Sequence, residues 1–216
     1  MKLGIYGSGG LGREVYDIAR RRSAISSLWQ EIIFINDFEE EKPFLSTRMV
    51  HFETIIQTKD AYECVIAVGE PSAREMLYKK IIDNKVRLAT LIDPTALVSP
   101  GATIGKGSII CEFSTIHCGV EIGDNCLVQP YCCIGHDIRI GSHSVLSPYF
   151  APGGSAIIGN RVFCGMHSSI KEGLTVGDNA IVAMGSAVFR DVAPGTVVVG
   201  NPARVTRGND EGKVFK

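Results

Sequence analysis

The chain has 216 residues, 45% of them hydrophobic, a size that suits one domain or two small ones with a sizeable core. Its net charge of −1 leaves no global basic field and excludes nucleic-acid binding by bulk electrostatics. Residues 1–7 hold no apolar core of signal length, and no run approaches the roughly 18 apolar residues of a membrane helix, so a cytoplasmic protein with no membrane partner is expected.

Taken in chain order, residues 2–6 predict a strand. Gly7-Ser8-Gly9-Gly10-Leu11-Gly12 follows and matches G-x-G-x-x-G. A helix is predicted from about residue 13 to 22, ended by the basic run Arg20-Arg21-Arg22, where cations suit the macrodipole. A second strand over 31–35 is closed by Asn36-Asp37, and a third over 64–68 stops at Gly69. Residues 71–84 read as a helix with Pro71 in its first turn. A strand over 89–92 leads through Asp93-Pro94 into a different grammar. Residues 1–92 thus predict a small Rossmann-like α/β unit of βαβαβ type.

From Val98 onward every sixth residue is aliphatic, through Ile104, Ile110, Ile116, Ile122, Val128, Ile134, Ile140 and Leu146 to Val188, broken only by Pro152 and Cys164. A period of six fits neither a helix nor a simple strand. It is the mark of a parallel β-helix over residues 93–208, in which three hexads make one triangular coil and residues about 18 apart stack. The run gives roughly five coils without a looped-out insertion. Glycines that follow the aliphatic residue, such as Gly105, Gly123 and Gly141, are expected at corners with positive φ. Residues 209–216 form a polar tail, expected to fray.

A glycine loop between strand and helix aims backbone N–H groups at an anion. Gly7, Ser8, Gly9, Gly10 and Gly12 are therefore candidate substrate contacts. Asp37, Gly69, Glu70 and Arg74 join them because they lie at the ends of neighbouring strands or one turn along. A dinucleotide fold needs two mononucleotide halves, and only one fits in this length. A nucleotide diphosphate such as a nucleotide sugar suits the space better, and a tight turn without ligand remains open. The seven cysteines show no C-x-x-C pair and no secretory context, so free thiols and no structural zinc are expected. No two histidines are five apart, which argues against the paired-histidine zinc site of some β-helix trimers.

The loop Tyr6-Gly7-Ser8-Gly9-Gly10-Leu11-Gly12, joined to hexads that carry Ile134-Gly135-His136-Asp137, resembles the sialic-acid O-acetyltransferases and bacillosamine-type nucleotide-amino-sugar N-acetyltransferases, both hexapeptide-repeat enzymes. The closing segments Asp191-Val192-Ala193-Pro194-Gly195 and Gly200-Asn201-Pro202-Ala203-Arg204 extend the resemblance over nearly the whole chain. It implies a left-handed β-helix, a homotrimer, acetyl-CoA as co-substrate in the groove between neighbouring prisms, and a nucleotide sugar on the N-terminal unit. It further implies that Gly154, Gly165, Met166, Ala183 and Met184 flank the pantetheine arm. Arg204 could meet the phosphates of CoA. Two residues depart from the pattern: Leu11 stands where relatives often carry histidine, and Val145 where some carry a second one.

Acetyl transfer needs a base for the attacking nucleophile and N–H groups aimed at the developing oxyanion. Of His51, His117, His136, His143 and His167, His136 is the candidate base, with Asp137 to orient it. His117 and His143 stand next, His143 as a possible compensation for Val145. Gly153 and Gly154 could turn N–H groups toward the thioester. The reading is an acetyl-CoA-dependent N-acetyltransferase of a nucleotide-linked amino sugar, of the 4-amino-4,6-dideoxy class, that works by direct attack without metal. The rivals are a sugar O-acetyltransferase and a non-catalytic sugar-nucleotide binder.

Overall fold

A computed structural model of the chain describes residues 1–215. The N-terminal strand β1 (Lys2–Tyr6) pairs in parallel with β2 (Glu31–Ile35) and β5 (Tyr62–Ile66). Helix α1 (Gly10–Ser26) crosses between β1 and β2. It starts earlier and ends later than predicted, so the three arginines lie inside it. Arg21 turns to the buried Asp93 at 2.6 Å and to Glu112 at 3.3 Å instead of capping a helix end. Among the elements not predicted are β3 (Lys42–Phe44), β4 (Thr47–Val50) and α2 (Phe52–Gln57). With β6 (Arg87–Leu88), β3 and β4 extend the sheet to the order β3-β4-β2-β1-β5-β6. Helix α3 (Pro71–Asp83) follows β5 and leads to β6 (Arg87–Leu88).

The predicted strand over 89–92 is divided. β6 closes the sheet, and β7 (Leu91–Ile92) already pairs with Ile109–Ile110 as the first strand of the prism. From there the coils climb with pairs 18 residues apart, for example Ile109↔Leu127, Thr115↔Cys133 and Glu121↔Arg139, until the last turn, where Ile181 pairs with Val197. The prism is a left-handed parallel β-helix with three faces, taken in chain order. Face one carries Leu91, Ile109, Leu127, Val145, Phe163 and Ile181; face two begins with Leu97 and face three with Thr103. The aliphatic hexad residues point inward and form one continuous buried column, including Ile110, Ile134, Leu146, Ile158 and Val182.

Face one is buried on its outer side as well. Leu91, Ile109, Leu127 and Val145 pack against Leu3, Ile5, Val15 and Ile18 of the N-terminal unit. Each such side chain contributes about 1.5–3 kcal/mol on burial. Most outward positions on the other two faces stay exposed, among them Leu97, Cys133, Ala151, Glu121 and Arg139. Two parts of the chain thus share one long apolar seam, and the other two faces remain open.

The corner glycines do a different job from the one expected. Gly105, Gly123 and Gly141 do not have positive φ; a Cβ on Gly105 would lie 2.4 Å from Gly123 C, and one on Gly141 2.6 Å from Asn160 N. They are glycine because successive coils close to within backbone contact at that edge. The left-handed residue falls two positions later and recurs every six residues, at Asn125, Tyr131, Asp137, His143, Tyr149 and onward. Asn, Asp and His tolerate that conformation better than most residues.

The C-terminal segment also differs from expectation. After the strand Thr196–Val199, Arg204–Gly208 returns antiparallel to it. Asn209 is buried and donates to Asn179 O at 2.9 Å. The N–H groups of Val214 and Phe215 donate to the Glu70 carboxylate at 3.0 Å, and the Phe215 ring meets Phe163 edge-on at 5.5 Å. The tail through residue 215 is docked, because these N–H groups find a carboxylate acceptor; Lys216 lies outside the described residues. Among those residues no helix is long and apolar enough to cross a membrane.

Candidate active site

His136 and Asp137 stand on the edge between faces two and three, the edge opposite the N-terminal unit. The imidazole Nδ1 lies 2.8 Å from Asp137 Oδ2, and both side chains are exposed. A carboxylate can only accept, so Nδ1 donates to it, and in the neutral ring this leaves the lone pair on Nε2. Two glycines make room for the pair. One coil up, a Cβ on Gly154 would sit 2.5 Å from His136 Nε2; one coil down, a Cβ on Gly119 would sit 2.2 Å from Asp137 Oδ1. Gly119 was not singled out in the sequence, although its 18-residue separation from Asp137 is the signal that finds it. Among the described residues the Gly154 N–H has no acceptor, so it is available to an oxyanion. The Gly153 N–H is not: it is spent on Ile170 O at 2.8 Å in the coil ladder.

The other histidines separate clearly. His117 lies one coil below on the same edge and is exposed. His143 cannot compensate for a missing histidine at position 145. It sits on the edge between faces three and one, half-buried against Tyr78 at 5.1 Å, with Nδ1 3.0 Å from Asn125 Nδ2. Burial there pushes its pKa down. Val145 itself is buried in the seam under the N-terminal unit. Cys64, Cys111, Cys126, Cys132 and Cys164 are buried, and burial pushes their thiols up, Cys126 to about 11 and Cys132 to about 12.

The remaining co-substrate candidates occupy a different edge. Gly165, Met166, Ala183 and Met184 lie between faces one and two, with both methionine side chains exposed. They border the same open face two that His136 borders from its far side. Arg204 is exposed, and among the described residues its guanidinium bonds only its neighbour's carbonyl, Ala203 O, at 2.9 Å.

In the N-terminal unit the glycine loop divides into packed and open positions. Gly7 has φ +117 and a Cβ there would strike Ala67 O at 2.7 Å, while Gly12 abuts Gly7 O. Gly9 and Gly10 meet nothing within 4 Å and lead into the uncapped first turn of α1. Ser8 Oγ accepts from Asn36 Nδ2 at 2.8 Å.

Three acceptor or donor candidates are otherwise employed. Asp37 accepts the Phe52 N–H at 2.8 Å, Lys80 at 2.6 Å and the Tyr6 hydroxyl. Burial would raise its pKa, but these partners hold it below the usual carboxylate range. Glu70 binds the tail, beside a cleft of about 1030 Å³ between α3 and residues 207–215, and Gly69 lies beside Phe215. Arg74 is fully buried and faces no ligand surface. It donates to Asn125 O at 2.9 Å, Asn125 Oδ1 at 2.8 Å, Ile66 O at 2.7 Å and Val68 O at 3.0 Å. It bolts the N-terminal unit to the prism, and burial lowers its pKa to about 10.

A β-helix with a histidine–carboxylate pair on a bare edge, seamed to a small α/β unit with an open glycine loop, defines the class of hexapeptide-repeat acyltransferases. Residues 2–81 match the PglD N-terminal domain, residues 119–149 the bacterial transferase hexapeptide, and residues 101–129 and 155–190 the hexapeptide repeat of succinyl-transferase. Together these matches cover most of the chain, with a PglD-type domain model in front and hexapeptide-repeat models behind it.

Its fold is shared with WeeI from Acinetobacter baumannii AYE, at 26% identity and TM-score 0.89, over 95% of this chain and 100% of that one. It is also shared with the acetyltransferase domain of PglB from Neisseria gonorrhoeae FA1090 in complex with acetyl coenzyme A, at 24% identity and TM-score 0.88, over 95% and 98%. PerB from Caulobacter crescentus, in complex with CoA and GDP-perosamine, has 24% identity and TM-score 0.85 over 96% and 98%. Among curated sequences, galactoside O-acetyltransferase of Escherichia coli (strain K12) is 42% identical over 57 residues; the chain spans 28% of that relative's length.

Proposed function

We propose that the protein transfers the acetyl group of acetyl-CoA to the amine of a nucleotide-linked amino sugar, of the 4-amino-4,6-dideoxy class. The observation that carries this is the His136–Asp137 pair, whose free Nε2 sits on the exposed edge under Gly154. Asp137 fixes the tautomer, Nε2 takes the proton of the attacking amine as its nitrogen bonds the acetyl carbon, and the Gly154 N–H stabilises the developing oxyanion. Collapse then breaks the C–S bond, so that CoA leaves as the thiol with the proton returned from Nε2. Five thiols are buried and held protonated, and among the described residues no base is hydrogen-bonded to the exposed thiols of Cys118 and Cys133, so direct attack in a ternary complex fits better than an acyl-enzyme. Acetyl-CoA supplies the thioester. The fold shared with proteins solved with acetyl-CoA, CoA and GDP-perosamine supports both substrates.

The acceptor belongs on the N-terminal unit, with its diphosphate at Gly9 and Gly10 on the first turn of α1. That unit covers face one, whereas His136 stands on the opposite edge, so the working site needs a second copy of the chain. A homotrimer meets this need: it sets the His136 edge of one copy against the Met166–Met184 edge of the next. The test compares kcat/KM for a nucleotide-linked 4-amino sugar with that for the same free amino sugar, alongside sedimentation. A large preference for the nucleotide form by a trimer is expected. Equal values, or a monomer active at micromolar concentration, would overturn the reading.

A further inference from the structure

The edge between faces three and one carries a polar column at its left-handed corners: Asn125, His143, Arg161 and Asn179, each one coil above the last. Arg161 donates from Nε to Asn179 Oδ1 at 2.7 Å and from Nη1 to Glu75 of α3 at 3.3 Å. At the foot of the column Asn125 is fully buried, and its amide has one possible orientation. Its Oδ1 accepts from Arg74 Nη2 at 2.8 Å, and its Nδ2 donates to Arg74 O at 2.9 Å. The second hydrogen of Nδ2 serves His143 Nδ1 at 3.0 Å. That ring nitrogen must accept, so the imidazole is the neutral tautomer with its proton on Nε2.

A proton on His143 Nδ1 breaks this arrangement, and no rotation of Asn125 mends it. Left as it is, the amide sets N–H against N–H. Turned over, it offers oxygen to His143, but then faces the Arg74 guanidinium with N–H and the Arg74 carbonyl with oxygen. Either way buried groups lose their partners. The surrounding charges divide. Glu75 and Asp124 favour a proton on the ring, Arg74 and Arg161 oppose it, and burial, the largest influence, opposes it too. Tyr78, edge-on at 5.1 Å, has its own pKa pushed up to about 12 by burial and stays neutral.

Arg74 carries the consequence into the N-terminal unit. Its Nη1 donates to Ile66 O and Val68 O, at and just past the end of β5. Between them, the Ala67 N–H donates to Tyr6 O at 2.9 Å, and Ala67 O lies 2.7 Å from where a Cβ on Gly7 would stand. This strand end is the floor of the glycine loop. We propose that His143 is a positioning residue: through Asn125 and Arg74 its neutral ring holds the strand end under the glycine loop, and a proton on the ring loosens that hold. The consequence for the acceptor rests on the reading above that the loop binds a nucleotide sugar; the network itself does not.

The test compares the wild type with His143→Asn. The new Oδ1 takes the place of Nδ1 as acceptor and does not titrate, and asparagine already holds this left-handed corner at Asn125 and Asn179. A histidine whose folded pKa is lowered adds stability that is present above its unfolded pKa, near 6.5, and is lost as pH falls through the folded one. Once the network opens the ring titrates near 6.5, so each pH unit below that favours opening by up to about tenfold. Amide hydrogen exchange at residues 7–12 and 66–68 reads the opening without substrate. The ratio of wild-type to His143→Asn exchange rates should grow about tenfold from pH 7.5 to 5.5. The KM for a nucleotide-linked 4-amino sugar should rise over the same range in the wild type and not in the variant, with kcat moving alike in both. Should His143→Asn fail to fold, His143→Ala decides: exchange at these residues should be raised at pH 7.5, with no further rise specific to low pH. A constant exchange ratio, a ring protonated on Nδ1 at pH 7.5 by nitrogen NMR, or equal KM profiles overturns the proposal. If no nucleotide sugar is turned over, the functional reading fails by itself and the exchange ratio alone decides for or against the network.

Discussion

Two edges of one prism each present a histidine, and the two have opposite fates. On the edge against the N-terminal unit, His143 takes the left-handed position, is half-buried under Tyr78, and has its proton affinity lowered by burial. On the opposite edge, His136 stands one residue before the left-handed position, exposed, with its ring fixed by Asp137 and roofed by Gly154. The hexad grammar around them is the same. What differs is what packs outside, which buries one ring in the junction and leaves the other open, as the proposed base must be.

The sharpest way to break that contrast is to delete each ring. His136→Ala should lower kcat by about 10²–10⁴-fold, the range for loss of a general base, while His143→Ala keeps kcat within a few-fold in steady-state assays. Comparable losses from both would abolish the distinction. Gly154→Ala sharpens it: a methyl 2.5 Å from Nε2 must displace the ring, so kcat should drop about tenfold, the scale of a small misplacement, with little change in melting temperature.

The welded edge should answer in stability instead. Arg74→Ala strands four carbonyl acceptors and opens a cavity at the junction. A loss of about 3 kcal/mol is expected in denaturant titration. A loss under about 0.5 kcal/mol would mean that the seam holds without its bolt.

The smallest effect concerns pH at the foot of the seam. Burial would raise the pKa of Asp93, but Thr95 and Arg21 hold it below the ordinary carboxylate value. A carboxylate whose folded pKa is depressed adds stability that is present above its unfolded pKa, near 4, and is lost as pH falls through the folded one. Wild-type stability should therefore decline below about pH 4, and Asp93→Asn should show a shallower decline. Identical slopes would remove Asp93 from the acid response.

The hexad was legible because a repeat is written in consecutive residues and its geometry is local. The pair His136-Asp137 was legible for the same reason. The sequence carries a further signal of the same kind. The hexads of face one are doubly apolar, as Ile109-Ile110, Leu127-Val128 and Val145-Leu146, and they recur every 18 residues. A strand with apolar residues on both sides is covered on both sides, so this recurrence marks the face that the N-terminal unit occupies. The short elements β3, β4 and α2 escaped because three to six residues carry too little periodic pattern to read.

By itself, then, the sequence determined the coil, its register of 18, the inward column and the histidine–aspartate pair, all of which follow from side-chain period and backbone sterics along adjacent residues. The tertiary structure alone decided which groups were already taken. Arg74 finds Asn125 across 51 residues, Glu70 finds the tail across 144, and Asp37 finds Lys80 across 43. A polar side chain at the end of a strand looks like a ligand contact until a distant partner is seen to satisfy it. Buried donors and acceptors must be paired, and the chain that pairs them is set by packing rather than by neighbours in sequence.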